Sequence, residues 1–284
     1  MFPENSRIVK AGIKKRLKIL RLAYARTFHR LTPEALLLHL QRIGIRPGDL
    51  LLVHSSYDSF AGFTGTATDV IDVLQKSIGP NGTLMMPTLP FTGTAVEYAS
   101  RSPVFDVART PSRTGLLTEL FRRSSGVVRS VHPTHSVALW GHDAPLLAKD
   151  HYRATTPCGE GTPFAALLER NGKILLLGAD IDSLTFYHMI EEAIEPRLPQ
   201  SPFTQQVYSL KSMLENGSVV RTETRLFEPA VSRRRNLQKL VPELKRLRAW
   251  RQRRVGPLVM TLLDAKDVHA AVVAMLDRGV YCYD

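Results

Sequence analysis

The stretch PGDLLLVHSS, residues 47–56, places a four-residue apolar run between a turn and three polar side chains. A short, continuous apolar run with such boundaries is typical of a buried strand in a largely parallel sheet. The run Leu50–Val53 is therefore predicted to be a strand that delivers His54, Ser55 and Ser56 at its carboxyl end.

Helix signals lie on both sides of this strand. Thr32-Pro33-Glu34 offers a capping hydroxyl followed by a proline suited to the first helical position, and apolar spacing continues the helix to Ile43. A second helix is predicted over 66–78. The turn Gly79–Gly82 then leads to a second buried strand over 83–86, which completes a strand–helix–strand unit.

The same alternation continues through much of the chain. Further strands are predicted over 135–140 and 173–177, and an apolar segment spans 258–263. Further helices are predicted over 162–170, 185–194 and 264–278, and a short one follows Arg113 and ends at Arg122. This order predicts an α/β fold, with a mixed sheet covered by helices.

The pattern changes after Pro199. Two extended segments, 205–213 and 218–226, flank Asn216-Gly217, which is a strong β-hairpin signal. We therefore expect a smaller antiparallel lobe over 200–230 within one domain of residues 31–284.

The net charge of +12 is concentrated in two segments. Residues 1–30 carry nine Lys/Arg and one Glu, residues 233–254 carry ten and one, and the rest of the chain sums to −5. Such segments are most often solvated helix surface, but they could also contact anionic lipid or a partner chain. No RNA-binding or zinc-finger pattern accompanies them, so specific nucleic-acid binding is not expected.

The apolar runs and the cysteines indicate the cellular compartment of the protein. No apolar run is long enough to cross a bilayer, and residues 1–30 lack the apolar core of a secretory signal. Cys158 and Cys282 lie far apart, which fits a reducing compartment. We expect a cytoplasmic protein, with peripheral contact at the inner face of the membrane as an alternative.

Four polar segments follow predicted strands: His54–Ser56, Pro87-Thr88, Gly141-His142 and the loop Gly178–Thr185. Open α/β sheets place their ligand crevice at the carboxyl ends of the strands. We expect these segments to converge, although each alone is more often a turn or a helix cap.

The strongest local signal for a reactive group lies on the helix predicted over 185–194. His188 and Glu191 are three residues apart and share one face, so the carboxylate could hold one imidazole nitrogen while the other accepts a proton. Asp182, in the preceding loop, could also raise the basicity of the ring. The alternative is a salt-bridged surface helix.

A metal site is a weaker hypothesis. His132 and His135 are three residues apart, but Pro133 lies between them and no cysteine or carboxylate stands at ligand spacing. No metal is expected.

Two nucleophile hypotheses also remain. Ser55 or Ser56 with His188 as base would make a serine hydrolase, but the chain contains no Gly-x-Ser-x-Gly elbow. Cys158 lies in a glycine-rich loop and is better interpreted as a small apolar packing residue.

Taken in order, these segments resemble the aminoglycoside 3-N-acetyltransferases, also called antibiotic N-acetyltransferases. The matching segments are LLVHSSYDSFAGF (51–63), IGPNGTLMMPT (78–88), FDVARTPSRTGLLTELFRR (105–123), RSVHPTHSVALWG (129–141), GEGTPFAALLERNGKILLLGADIDSLTFYHMIEE (159–192) and, more loosely, VGPLVMTLLDAKDVHAAV (255–272). The resemblance runs from about residue 32 to the C-terminus.

The resemblance implies a mixed α/β fold distinct from the GNAT acetyltransferases. It also implies direct transfer of an acetyl group from acetyl-CoA to an amine in a ternary complex, without a metal. The family's T-x-x-H-x-x-E segment corresponds to Thr185, His188 and Glu191, which makes His188 the general base. The family's loop aspartate corresponds to Asp182.

The resemblance further implies which residues contact the coenzyme. The family's His-Ser-Ser strand end lies in the coenzyme region, so Ser55 and Ser56 are the first candidates. Ser112, Arg113 and Gly115 are weaker candidates nearby.

The charged segments depart from the family pattern and bear on the acceptor. Aminoglycosides are polycations, which cationic segments near the acceptor pocket would repel. An amino sugar or a nucleotide-linked sugar is therefore as well supported as an antibiotic. A thioester or ester hydrolase on the same fold, and an inactive protein that binds membranes or polymers, remain alternatives.

Overall fold

The computed structural model describes residues 29–284, so the basic extension expected over 1–30 lies outside the described residues except for its last two. The strands are β1 (Leu50–Ser55), β2 (Thr83–Pro87), β3 (Val104–Asp106), β4 (Val128–Arg129), β5 (Val137–Gly141), β6 (Lys173–Leu177), β7 (Phe203–Met213), β8 (Val219–Phe227), β9 (Arg251–Val255) and β10 (Leu258–Asp264). The α-helices are α1 (Pro33–Ile43), α2 (Ala67–Ile78), α3 (Ala95–Ala99), α4 (Leu116–Phe121), α5 (Ala144–Ala148), α6 (Pro163–Glu169), α7 (Phe186–Ala193), α8 (Pro229–Arg234), α9 (Val241–Arg246) and α10 (Ala265–Leu276). Short 3-10 turns span Tyr57–Ser59, His151–Arg153, Ile181–Ser183, Glu195–Arg197 and Leu237–Leu240.

Threonine side chains begin the helices where the sequence predicts. The Thr32 hydroxyl accepts the backbone N–H of the third residue of α1, and Thr162 does the same for α6. At α2, Thr66 and Asp69 form a reciprocal capping box. Each cap satisfies backbone donors that a helix leaves unpaired, which is worth about 1 kcal/mol.

One mixed sheet dominates the fold, with strands in the order β4-β5-β2-β1-β6-β10-β9. The central strands β2, β1 and β6 run parallel, and β5 and β10 flank them antiparallel. The predicted fold class, a mixed sheet covered by helices, is confirmed. A second sheet joins β3 in parallel to the antiparallel hairpin β7–β8, whose turn contains Asn216 and Gly217.

Both faces of the main sheet are buried, and side-chain alternation along β1 assigns its residues to two layers. Leu51 and Val53 pack with α1, α2 and α4. Leu50 and Leu52 pack on the other face with α6, α7 and α10. Because alternate residues of a strand share a face, His54 lies on the side that α7 covers.

The direction of β5 corrects one expectation. Because β5 runs antiparallel to β2, Gly141 pairs with Thr83 at the start of β2. Gly141-His142 therefore lies at the amino ends of the parallel strands, whereas His54 lies near their carboxyl ends. Val137 pairs instead with Pro87, the last residue of β2, which brings the histidine-bearing segment 132–136 to the predicted crevice. The apolar pattern of a buried strand does not reveal its direction.

The basic segment 233–254 is not one solvated helix. It contains the end of α8, a 3-10 turn, α9 and most of β9. Several of its cations form ion pairs within the chain: Arg235 with Glu191, Lys239 with Asp284, Arg246 with Glu243 and Arg251 with Asp264. Among the helices of residues 29–284, none combines the length and apolarity that crossing a membrane requires.

Candidate active site

A pocket of about 310 Å³ opens where β1, β2 and β6 end. Its wall comprises Val53, His54, Ser55, Pro87, Leu89, Thr114, Thr118, Ala179, Asp182, Ser183, Leu184, Thr185, His188, Arg235 and Leu237. Three of the four segments expected to converge therefore do so. The size is within the range of small-molecule sites in proteins.

The His188 side chain lies in the pocket wall and is held by a buried carboxylate on the same helix. Its Nδ1 lies 3.0 Å from Oε2 of Glu191, one turn further along α7. The Glu191 side chain is 0% exposed and that of His188 19% exposed. Since a carboxylate only accepts hydrogen bonds, Nδ1–H donates and Nε2 keeps its lone pair.

Two residues that sequence reasoning missed complete the surroundings of Glu191. Nη2 of Arg235 lies 2.9 Å from each carboxylate oxygen, and the hydroxyl of Tyr283 donates to Oε1. Arg235 is 44 residues and Tyr283 92 residues from Glu191 along the chain. Contacts at such separations leave no local spacing signal.

This arrangement sets the protonation states. Burial raises the pKa of Glu191, but the hydrogen bond with His188 and the charge of Arg235 outweigh it, and the pKa lies below its ordinary value. Burial and Arg235 lower the pKa of His188 below 6.5, and Glu191 offsets only part of that effect. At neutral pH the pair is therefore a carboxylate and a neutral imidazole, the form that a general base requires.

A stack of planar side chains supports the imidazole from behind. The Phe227 ring, at the end of β8, lies 4.2 Å from the His188 ring with an angle of 29° between their planes. Phe203 stacks on Phe227 at 4.9 Å, and the Arg225 guanidinium lies 4.5 Å from the Phe203 ring. The β7–β8 hairpin thus contributes directly to the site, which the sequence did not predict.

Asp182 lies in the pocket wall, but it contacts a different element from the one expected. Its Oδ1 accepts the backbone N–H of Leu237 at 2.9 Å, and its Oδ2 accepts the Gln238 amide at 3.0 Å. It thereby fixes the turn that follows Arg235, whereas Glu191 is the carboxylate that holds His188.

The two serines at the end of β1 differ. Ser55 lies in the pocket wall. The backbone N–H of Ser56 donates to the carbonyl oxygen of Leu177 at 3.1 Å, so it is already engaged in the sheet. Of the two, Ser55 is the one that lines the pocket.

The segment before α4 contributes hydroxyl groups. Ser112 is buried, and its Oγ lies 2.8 Å from the Thr114 hydroxyl and 3.0 Å from that of Thr118, both of which line the pocket. Arg113 and Gly115 are exposed. The hydroxyl groups that reach the pocket are thus those of the two threonines, and Ser112 lies behind them.

Three further histidines, His132, His135 and His151, are buried. The edge of the His135 ring faces the ring of His188, 6.1 Å away, and His132 Nδ1 accepts the backbone N–H of His135. His151 is hydrogen-bonded through both ring nitrogens. Within residues 29–284, no three histidine, cysteine, aspartate or glutamate side chains are grouped to hold a metal ion. Cys158 is buried, and burial raises the pKa of its thiol well above the ordinary value.

Known proteins resemble the chain over most of its length. The family model described as aminoglycoside 3-N-acetyltransferase matches residues 52–277. The aminoglycoside N(3)-acetyltransferase III of Serratia marcescens is 34% identical over 177 residues, which are 58% of this chain and 65% of that protein. The acetyltransferase-like protein YokD of Bacillus subtilis is 32% identical over 184 residues, 59% of this chain and 67% of that protein. The first of these alignments spans less than two thirds of the relative's length.

Solved structures match more fully. The crystal structure of the aminoglycoside acetyltransferase AAC(3)-Xa superposes with a TM-score of 0.76 at 26% identity, over 93% of this chain and 98% of that one. That of AAC(3)-IIb gives a TM-score of 0.73 at 28% identity, over 89% and 98%. A histidine-to-alanine mutant of AAC(3)-IVa in complex with a gentamicin matches at 25% identity, with a TM-score of 0.73 over 88% and 89%.

Proposed function

The chain belongs to the aminoglycoside 3-N-acetyltransferase family, and we propose that it is an acyltransferase that moves the acetyl group of acetyl-CoA to an amine, with His188 as general base. The observation that carries this proposal is the imidazole of His188 in the wall of the pocket, held through Nδ1 by the buried carboxylate of Glu191. The family assignment supports the reaction class.

The pocket residues fit an acyl thioester and an amine. Acetyl-CoA supplies an activated acyl group whose carbonyl carbon an uncharged amine can attack. Hydroxyl groups of Ser55 and Thr114 and the ring of His54 line the wall, and polar groups of this kind suit a thioester carbonyl and an amide-containing arm. We propose Ser55 as the nearer coenzyme contact, with Ser112 supporting Thr114.

His188 moves the proton in the proposed step. Nε2 takes a proton from the amine as its nitrogen forms a bond to the carbonyl carbon, and the carbonyl π electrons pass to oxygen. The electron pair on oxygen then re-forms the carbonyl as the carbon–sulfur bond breaks, and the imidazolium returns the proton to the departing sulfur. Glu191 stabilises the imidazolium in between, while Arg235 and Tyr283 keep that carboxylate ionised and fixed.

The charge of the pocket leaves two acceptor classes. Arg235 lies in the wall, but its guanidinium is paired with Glu191, and Asp182 adds a carboxylate. A cationic acceptor therefore does not face an unpaired arginine. We propose an aminoglycoside or an amino sugar as the acceptor, the first because the relatives' names refer to it.

The test is release of free thiol from acetyl-CoA across a panel of amines that includes gentamicin, sisomicin, glucosamine and a nucleotide-linked amino sugar. We expect release that depends on one acceptor class, and unchanged release in a Cys158→Ala control. Hydrolysis without any acceptor would identify a thioesterase instead. No release with any amine would overturn the proposal.

A separate prediction concerns Phe227, whose ring stacks on that of His188. Phe227→Leu keeps an apolar side chain but removes the flat surface that orients the imidazole, so we expect kcat to fall about tenfold with little change in KM, since misplaced catalytic groups lose rate. Phe121→Leu, a buried phenylalanine in the other layer of the core, is the matched control. Equal kcat values for the two variants, per folded protein, would exclude an orienting role.

Membrane contact through the segment 233–254 stays a prediction. Four of its exposed cations, Arg233, Lys245, Arg248 and Arg254, form no ion pair with a carboxylate within residues 29–284 and are available to an anionic lipid surface.

A further inference from the structure

His54 is a buried polar residue of the pocket that the proposed proton transfer does not use. It is the fifth residue of β1, on the face that α7 covers, and only 7% of its surface is exposed. Its Nε2 is enclosed without a hydrogen-bond partner, and its Nδ1, which is not enclosed, also has no partner within the described residues.

An unpaired buried histidine requires a reason. Buried polar groups in proteins are nearly always hydrogen-bonded, and leaving one unpaired costs about 1–3 kcal/mol. The neighbouring histidines are better paired. His151 is hydrogen-bonded through both ring nitrogens, and Nδ1 of His132 and of His135 is bonded, although Nε2 of His132 is also buried without a partner. His54 differs from them because it also forms part of the pocket wall.

The chemistry of a neutral imidazole limits its role. Burial, reinforced by the nearby His188, lowers the pKa of His54 to about 4. At neutral pH the ring is therefore a poor base, but it still carries one N–H donor. At the same strand end the backbone N–H of Ser56 is engaged with the carbonyl oxygen of Leu177.

We propose that His54 is a further catalytic residue, whose Nδ1–H donates a hydrogen bond to the carbonyl oxygen of the acyl group. The inference rests on the proposed acyl transfer. As the amine attacks, the carbonyl π electrons move to oxygen, and the N–H stabilises the negative charge that develops there. His54 keeps its proton throughout, while His188, on the facing helix, carries the proton from the amine. Oxyanion donors of this kind are worth a factor of about 100 to 1,000 in kcat.

The kinetic test compares His54→Leu with His54→Gln. Leucine fills a similar volume without a donor, so we expect kcat to fall about 100-fold, while thermal stability is unchanged or higher because an unpaired polar group has been removed. Glutamine supplies an amide N–H and should recover part of the loss. The acid limb of the pH profile, which His188 sets, should not move. A kcat of His54→Leu within twofold of wild type would overturn the proposal.

A second readout does not depend on turnover. In the His188→Ala background, acetyl-CoA labelled with carbon-13 at the carbonyl is bound without an acceptor, and its carbonyl resonance is recorded. A hydrogen bond from His54 should shift this resonance downfield of free acetyl-CoA, and adding His54→Leu should abolish the difference. An equal shift in both proteins contradicts the role of His54. An inactive wild-type protein would instead contradict the proposed function.

Discussion

The His188→Ala variant should transfer acetyl groups about 100 to 10,000 times more slowly than wild type, the range that a positioned general base contributes. The reason is local: with its Nδ1 bound to Glu191, His188 offers a free Nε2 at the wall of the pocket. Affinity for CoA should change little, because Ser55 and Thr114 lie on other elements. Thiol release measures the first quantity and titration calorimetry with CoA the second.

His142→Ala is the matched control for this experiment. His142 is exposed and follows β5 at the opposite edge of the sheet, so its loss should leave kcat unchanged. Turnover by His188→Ala at the wild-type rate would rule out the assigned base. A loss in His142→Ala equal to that in His188→Ala would show that the placement of the site at this sheet edge is wrong.

Acidification from pH 6.5 to pH 5 should destabilise the folded protein. Burial lowers the pKa values of His54 and His151 to about 4, against 6.5 for an exposed histidine. Between these values the unfolded chain binds protons that the folded chain excludes, so stability falls as the pH falls, by about 1.4 kcal/mol per pH unit for each histidine. Because the unfolded histidine is only half protonated at pH 6.5, the two together contribute a loss of about 3 kcal/mol.

Other buried groups act on this pH dependence in both directions. His132 and His135, whose pKa values burial holds well below 6.5, add to the loss. Glu192 opposes it, because burial raises its pKa to about 8 and it is therefore already protonated in the folded state, which offsets about 2 kcal/mol. The net expectation is a loss of at least about 1 kcal/mol.

Urea unfolding at pH 6.5 and pH 5 measures this loss. His151→Gln should show a pH dependence smaller by about 2 kcal/mol, because one excluded proton has been removed. The control His142→Ala, at an exposed position, should behave as wild type. A free energy of unfolding that is constant between the two pH values would contradict the burial of neutral histidines beside the site.

Much of the fold was predictable because its signals are local. The buried strand β6 occupies the predicted residues 173–177, and a capping threonine followed by proline indicated the start of α1 and of α6. Short elements such as α3 and β4 were missed, since five or fewer residues carry no readable period. The antiparallel direction of β5 was missed because direction depends on long-range pairing.

In the site, too, the residues that are close in sequence were predictable and those contributed by distant segments were not. His188 and Glu191 lie three residues apart, so helical spacing alone brings them together. Arg235 was predicted to be part of a charged surface, and Phe227 part of a separate lobe, because their contacts with α7 depend on how distant segments pack. Asp182 was placed correctly in the pocket wall, but its hydrogen bonds to the turn after Arg235 could not be read from its position in the loop.

The protonation state of His188 tests the central claim most directly. Nitrogen-15 NMR of the histidine rings from pH 5 to pH 8, with the His188 signals assigned by their absence in His188→Ala, reports both charge and tautomer. We expect a ring that is neutral at pH 7, with the proton on Nδ1, a free Nε2 and a titration midpoint below 6.5. A charged ring at pH 7, or a proton on Nε2 in the neutral form, would contradict the assignment of His188 as the base.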